Sequence, residues 1–167
     1  MKAIALCGSP RKDGNTQYLL NRSLSILAEN NIETSLVTIR GKKIRGCIGC
    51  GRCRELKDGT CAVKNDDFAP ILEEMKSADI LICGSPVYFG SATPEIMAVL
   101  DRAGYVARGN GHFFARKIGG PIAVARRAGQ NFTFSQLLYW YMINNMIVPG
   151  SRYWNIAFGG AAGSVAE

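Results

Sequence analysis

The sequence predicts a three-layer α/β fold, in which a doubly wound, five-stranded parallel sheet lies between layers of helices. Strand-like and helix-like segments alternate along the chain with short connections, as in βαβ units. The segment "DILICG" at residues 79–84 is apolar after its first residue, which is typical of a strand covered on both faces. Because 167 residues suit one core better than two, we expect a single domain over residues 1–167.

Local patterns predict each element of the first half of the chain. Residues 2–7, "KAIALC", form an apolar strand that enters a glycine-containing loop, and leucines recur at helical spacing over residues 16–30. Residues 32–39 alternate and predict a second strand. An aspartate precedes a helical pattern over residues 66–77. Between these two elements lies a cysteine-rich insertion, about residues 40–65, which we expect to be loop.

The second half continues the alternation after the strand at residues 79–84. Pro94 is suited to the first turn of a helix. A further strand is expected at residues 118–125, a helix at about 132–145 and a last strand-like piece at about 153–158. Ligands of such folds bind at the carboxyl ends of the strands, so function is expected in the loops after strands one, three and four.

Composition and charge limit the class of protein. The formal net charge of +7 suits an anionic ligand or partner. The first apolar run is too short for a signal peptide, and the longest, residues 137–143, cannot span a bilayer. We therefore expect a cytoplasmic protein without membrane contact. In that compartment six cysteines indicate metal ligands or redox thiols, although Cys7 and Cys83 end apolar runs and are expected in the core.

The loop after strand one, "GSPRKDGNT" at residues 8–16, leads directly into a helix. Its backbone N–H groups, with Ser9, Asn15 and Thr16, are suited to hold a phosphate dianion. The loop matches neither the P-loop nor the dinucleotide glycine pattern, and strand two lacks a final acidic residue to bind an adenosine ribose. A terminal monophosphate therefore fits best. The alternative is a polar turn with an Asn or Thr helix cap.

The other two loops favour a flat ring. "SPVYFGSATPE" at residues 85–95 combines aromatic side chains with backbone donors, which suits a heteroaromatic ligand. "ARRAGQN" at residues 125–131 adds two arginines at the same sheet edge, where they would offset negative charge on a reduced ring or attract an anionic substrate. Solvated surface charge is the alternative interpretation of these arginines.

Four further cysteines lie within "GCIGCGRCRELKDGTC" at residues 46–61. The spacing C-x2-C-x2-C is used by ferredoxin loops to bind three corners of one cubane cluster. Interleaved glycines permit the tight, positive-φ turns that such binding needs. A zinc site more often pairs two separated C-x2-C units, and a thioredoxin-like pair would begin a helix. The pattern favours a cluster, and leaves zinc and free or oxidised thiols as alternatives.

Together, "GSPRKDGNT", "GSPVYFGSATPEIMAVLDR" and "ARRAGQ" resemble the flavodoxin-like NADPH-dependent FMN reductases. The cysteine segment resembles the iron-sulfur flavoprotein branch of that family. The similarity covers nearly the whole chain in the same order, and it implies a flavodoxin-like fold with FMN as cofactor. By this resemblance the FMN phosphate would be held by Ser9, Arg11, Asn15 and Thr16, with Gln17 beside them. The isoalloxazine ring would be held by Pro86, Val87, Tyr88, Phe89, Gly90 and Ser91, and on its far side by Arg126, Arg127 and Gly129. A [4Fe-4S] cluster would be bound by Cys47, Cys50, Cys53 and Cys61.

The resemblance also bears on assembly. Family members are dimers or tetramers in which one subunit's cysteine loop approaches another's flavin, so we expect a homodimer or homotetramer. Apolar residues all round the helix at about residues 132–145 also favour a subunit interface. Relatives usually continue into a final helix, whereas this sequence stops at Glu167.

The expected function is electron transfer by a flavoprotein. Electrons would come from NAD(P)H or reduced ferredoxin and pass to an acceptor through FMN and the cluster. Because flavin chemistry needs no ionisable catalyst, we expect no catalytic side chain, and His112 is expected at the surface. The alternatives are a cluster-free NAD(P)H-dependent FMN or quinone reductase, and a zinc- or thiol-based regulator that binds nucleic acid. No helix-turn-helix pattern supports the regulator, so no nucleic acid partner is expected.

Overall fold

A computed structural model describes residues 1–165 of the chain and contains one parallel sheet of five strands. The sheet order is β2-β1-β3-β4-β5, so the chain moves to one edge and then crosses back over β1. That reversal lies between β1 and β3, which pair from Ala3 with Ile80 to Cys7 with Gly84. The strands are β1 (Lys2–Cys7), β2 (Glu33–Thr38), β3 (Ile80–Pro86), β4 (Ile118–Ala125) and β5 (Ile156–Phe158).

Helices cover both faces of this sheet. Leucines of α1 pack with alanines of β1 on one face, whereas α3, α4 and α5 contribute to the larger apolar cluster on the other. This is the three-layer arrangement that the alternating pattern predicts. The helices are α1 (Asn15–Glu29), α2 (Arg52–Leu56), α3 (Phe68–Ser77), α4 (Pro94–Gly109) and α5 (Gln130–Ile143).

Most predicted elements are confirmed to within two residues. β1 and β4 have the predicted bounds, and Pro94 occupies the first turn of α4. The last strand is shorter than expected and begins at Ile156. The cysteine insertion differs as well, because the five-residue helix α2 interrupts a segment that was expected to be loop throughout.

The two isolated cysteines belong to the core, as predicted. Cys7 is 1% exposed and Cys83 is not exposed at all. Burial raises the pKa of Cys83 to about 12 and also raises the pKa of Cys7. Both thiols therefore stay protonated and unreactive at neutral pH.

Candidate functional site

The predicted phosphate and ring loops meet in one cleft at the carboxyl ends of β1, β3 and β4. The cleft has a volume of about 160 Å³. Because the carboxyl ends of parallel strands share one edge of the sheet, three loops that are far apart in sequence converge there. Eight of the residues expected to bind FMN line it, namely Ser9, Arg11, Asn15, Thr16, Pro86, Val87, Tyr88 and Arg126.

The first loop presents buried polar groups to this cleft. Ser9 is 4% exposed and Thr16 is 2% exposed. The N-cap of α1 is Gly14, and among residues 1–165 no side chain forms a capping hydrogen bond to that helix. An Asn or Thr cap therefore does not describe this helix start, and its N–H groups are suited to an anion.

A glycine-rich segment after β5 packs against the same loop. The Nδ2 group of Asn15 donates hydrogen bonds to the carbonyl oxygen of Ala161 at 2.7 Å and to Ser164 Oγ at 3.3 Å. Arg11 donates to the carbonyl oxygen of Gly160 at 3.3 Å. The buried Oδ1 of Asn15 has no hydrogen-bond partner within the described part of the chain. No sequence pattern predicts these contacts, which involve two of the residues expected to hold phosphate.

The second loop forms a tight turn beside the cleft. Tyr88 and Ser91 exchange backbone hydrogen bonds of 2.8 and 3.1 Å. Phe89 and Gly90, at the tip, both have positive φ, and the Phe89 side chain is fully exposed. Two positive φ values in succession are typical of a type I′ turn. The turn therefore directs Tyr88 towards the cleft, while Phe89, Gly90 and Ser91 do not line it.

Two residues hold this turn in place, and neither of them was predicted as a site residue. Thr93 is fully buried, and its hydroxyl donates to the carbonyl oxygen of Gly8 at 2.8 Å, which joins the second loop to the first. Gln136 of α5 accepts hydrogen bonds from Ser91 Oγ and from the backbone N–H of Ala92. Thr93 is the N-cap residue directly before Pro94, and Gln136 directly precedes the apolar run at residues 137–143. These two positions were the available signal.

The third loop contributes one of its two arginines. Arg126 lines the cleft, whereas Arg127 is exposed and does not. Gly129 adopts φ +94° and lies against Val87 of the second loop. The remaining predicted residue, Gln17, lies on α1 outside the cleft and donates to Asp13 at 3.2 Å.

The four clustered cysteines line a second, smaller pocket of about 30 Å³. Arg102 and Tyr105 of α4 line it too. Within residues 1–165, no group of three or more histidine, cysteine, aspartate or glutamate side chains is arranged to hold a single metal ion. The pocket thus gathers all four predicted ligands, Cys47, Cys50, Cys53 and Cys61, without converging them on one point.

Local backbone geometry shapes this pocket. Gly49 and Gly51 have φ of +66° and +73°, the positive values that the glycine interleaving predicts. The N–H of Gly49 donates to Cys47 Sγ at 3.5 Å. Cys53 lies in α2, directly after that helix begins, so the pair Cys50 and Cys53 is at a helix start after all.

The thiols are close enough to influence one another electrostatically. Burial raises the pKa of Cys53, and negative charge on Cys61, Cys47 and Cys50 raises it further. Four thiolates in one pocket therefore repel one another unless positive charge compensates them. A bound metal centre supplies such charge and favours the ionised ligands.

The cleft and the cysteine pocket are separate sites linked by α4. The helix begins at Pro94, just after the second loop, and reaches the cysteine pocket at Arg102 and Tyr105. At about 1.5 Å per residue, Arg102 lies about 12 Å along the helix from Pro94. None of the cysteines lines the cleft.

Membrane insertion of a helix finds no support in the structure. Among the helices of residues 1–165, none combines the length and the apolar character that a bilayer crossing requires.

The family model described as "NADPH-dependent FMN reductase" matches residues 1–161 of the chain. An iron-sulfur flavoprotein of Methanocaldococcus jannaschii is 38% identical over 162 residues, which cover 96% of this chain and 81% of the relative. An iron-sulfur flavoprotein of Methanosarcina thermophila is 34% identical over 169 residues, which cover 100% of this chain and 85% of the relative.

Solved structures agree on the fold. RosB, crystallised with 8-demethyl-8-formylriboflavin-5'-phosphate, matches with a TM-score of 0.76 at 20% identity, over 96% of this chain and 67% of RosB. A flavodoxin from the domain Archaea matches with a TM-score of 0.62 at 16% identity, over 95% of this chain and 82% of the flavodoxin. The fold is therefore flavodoxin-like. The chain belongs to the NADPH-dependent FMN reductase family, on the branch that the iron-sulfur flavoproteins form.

Proposed function

We propose that the protein is an oxidoreductase that binds FMN in the cleft and a [4Fe-4S] cluster in the cysteine pocket. It would take two electrons from NAD(P)H or reduced ferredoxin and deliver them singly to an acceptor. The observation that carries this proposal is the presence of both sites in one chain: a cleft made by three loops at the sheet edge, and a pocket lined by four cysteines.

The cleft fits FMN by its donor set. Ser9, Thr16 and the uncapped start of α1 are suited to the phosphate, and the orphaned Oδ1 of Asn15 is a buried acceptor for a ligand donor. Tyr88 and the backbone of residues 86–88 would face the ring, and Arg126 would offset its negative charge. When bound, FMN supplies hydride acceptance and one-electron release, so this chain's residues contribute binding, orientation and charge.

The cysteine pocket fits a cubane better than a single ion. Each thiolate of a cubane binds a different iron atom, so the four ligands surround the cluster and do not meet at one point. A tetrahedral zinc ion instead needs all four sulfurs at about 2.3 Å. The relatives in Methanocaldococcus jannaschii and Methanosarcina thermophila are both iron-sulfur flavoproteins, which supports the same choice.

Oligomer formation is part of this proposal. Four large apolar side chains on α5 are more than half exposed, which is typical of an interface with a second copy. They are Phe132, Tyr139, Met142 and Ile143. A native mass equal to that of a single chain in dilute solution would remove this part of the proposal.

The decisive experiment is an absorbance spectrum of anaerobically purified protein, combined with iron, sulfide and FMN analysis. Flavin bands plus a broad shoulder that bleaches on reduction, with iron near four per FMN, are expected. Flavin bands without iron would indicate the cluster-free FMN reductase. Zinc with no flavin, together with salt-sensitive retention on DNA, would favour the regulator.

A further inference from the structure

Arg102 is a buried arginine whose role the proposed function does not explain. It lies in the middle of α4, and its side chain is 1% exposed. The neighbouring buried residues of α4 include apolar side chains such as Val99 and Val106. Arginine is almost never fully buried unless it is paired, because removing the charge from water is costly. Such a residue therefore needs a specific set of partners.

The partners of Arg102 lie in or directly beside the cysteine-rich insertion at about residues 40–65. Nη1 donates to the carbonyl oxygen of Arg45 at 3.3 Å and forms a short ion pair with Asp66, which is itself only 3% exposed. Nη2 donates to the carbonyl oxygen of Val63 at 2.9 Å and to Cys61 Sγ at 3.4 Å. Arg45 precedes Cys47, the first of the four clustered cysteines. Cys61 is the last of the four, and Val63 and Asp66 follow it.

The guanidinium thus joins the two ends of the cysteine segment to α4. Asn110, at the end of α4, holds its middle: Oδ1 accepts a hydrogen bond from the N–H of Gly59 at 2.8 Å, and Nδ2 donates to the carbonyl oxygen of Cys53 at 3.0 Å. Asp66 strengthens the first attachment, because its carboxylate also accepts a hydrogen bond from the backbone N–H of Arg45 at 3.2 Å. The guanidinium lies over the ring of buried Phe68, 4.0 Å from its centroid. Arg102 Nε is buried without a hydrogen-bond partner among residues 1–165.

This arrangement places an N–H donor at the cysteine pocket, on a guanidinium whose charge the Asp66 carboxylate balances. Arg102 lines that pocket together with the four cysteines. Hydrogen bonds to the sulfurs are among the factors that set the reduction potential of iron–sulfur clusters. Reduction adds one electron, and therefore one negative charge, which strengthens the hydrogen bond from an N–H donor to a ligand sulfur.

We propose that Arg102 is the positioning residue of the cysteine pocket: it holds Cys61, the ligand separated from the other three, and raises the reduction potential of the bound cluster. This inference rests on the proposed function, because it assumes that a cluster occupies the pocket. In this proposal α4, a helix of the flavodoxin-like core, holds the cysteine segment in place through Arg102.

The test uses holoprotein and the double variant Arg102→Gln, Asp66→Asn, which removes both buried charges and leaves neither unpaired. The cluster potential is measured by anaerobic redox titration, and iron loss is followed after addition of a chelator. Because this double variant leaves the net charge unchanged, a change in potential reports the loss of the N–H donor to Cys61 Sγ. We expect the reduction equilibrium constant to fall about tenfold, equivalent to 59 mV for a one-electron couple. We also expect iron to be released several-fold faster.

Arg54→Gln is the matched control. Arg54 also lies close to the cysteines and lies 5.5 Å from the Tyr105 ring centroid, but it is exposed, so solvent screens its charge. Its removal should leave potential and iron release close to those of the unaltered protein. If the cluster potential shifts equally in Arg54→Gln and in the double variant, Arg102 has no effect that a nearby exposed arginine lacks, and the inference is overturned.

The remaining outcomes are also decisive. A double variant with the original potential and iron release would overturn the proposal, whereas complete loss of iron with FMN retained would support it. If the double variant also loses FMN, Arg102→Lys replaces it. That variant keeps the charge but not the planar fork, and iron release as slow as in the unaltered protein would overturn the proposal. Absence of iron from the unaltered protein would instead remove the proposed cluster itself.

Discussion

The sheet-edge cleft and the cysteine pocket are organised by different kinds of contact. The loops of the cleft begin where β1, β3 and β4 end, so strand pairing places them. The cysteine segment joins β2 to α3, contains only the short helix α2, and is closed by the side chain of Arg102. The comparison shows that one site is determined by the topology of the sheet, whereas the other depends on side chains of α4 and its end, the buried pair of Arg102 with Asp66 and the hydrogen bonds of Asn110.

The largest expected effect is a loss of bound iron without a loss of bound FMN. Cys50→Ser should lower bound iron at least tenfold and leave FMN near one per chain, because Cys50 is exposed and takes no part in the cleft. Cys83→Ala is the control, since that thiol belongs to the core and not to the pocket. Metal and flavin analysis of the purified variants measures both quantities. Undiminished iron in Cys50→Ser would contradict the assignment of this ligand.

The second prediction concerns the closure of the cysteine segment. Asp66→Asn leaves the Arg102 charge buried without its counter-ion, which should lower the free energy of unfolding by about 3–5 kcal/mol. Denaturant titration of the protein measures this loss. Asp67→Asn is the matched neighbour: Asp67 is exposed and accepts one hydrogen bond from the N–H of Lys43, so a loss of about 1 kcal/mol is expected. Similar losses in both variants would show that the buried pair has no special role.

The third prediction addresses the packing behind the cleft. A Cβ at Gly84 would approach Leu20 Cδ1 to 2.8 Å and Thr16 Cγ2 to 2.9 Å, pushing the start of α1 away from the sheet. Gly84→Ala should therefore destabilise the protein by about 1–3 kcal/mol and weaken FMN binding. Gly120→Ala is the control, because a Cβ there meets nothing within 4 Å. Unfolding curves and FMN titration should distinguish the two variants, and equal FMN affinity would contradict the role of this contact.

The smallest expected effect distinguishes the two arginines of the third loop. Arg126→Gln should weaken FMN binding a few-fold, since an exposed charge is worth about 1 kcal/mol or less. Arg127→Gln should leave the affinity unchanged, because Arg127 does not line the cleft. Fluorescence quenching of FMN titrated with each variant measures the difference. A loss of FMN affinity in Arg127→Gln alone would mean that Arg127, and not Arg126, faces the ring.

Sequence patterns predicted that the three loops meet at one edge of the sheet, but they did not predict the contacts that close the cysteine segment. Apolar runs identified β1 and β4, and parallel topology then required their loops to converge. Arg102 was overlooked because charged residues are usually exposed. A signal was available, since it follows Val99 by three residues and precedes Val106 by four, on the buried face of α4. The contacts of residues 159–164 with the first loop involve tertiary packing that no local pattern encodes.

The position of the cysteine segment in the crossover from β2 to β3 has an evolutionary consequence. Pairing of β1 with β2 ends at Thr38, and pairing of β1 with β3 begins at Ile80, so neither register includes the residues between the end of β2 and the start of α3. The length and composition of this insertion can therefore change over generations without altering the strands that support the loops of the cleft. A lineage can vary this segment while it keeps the same sheet.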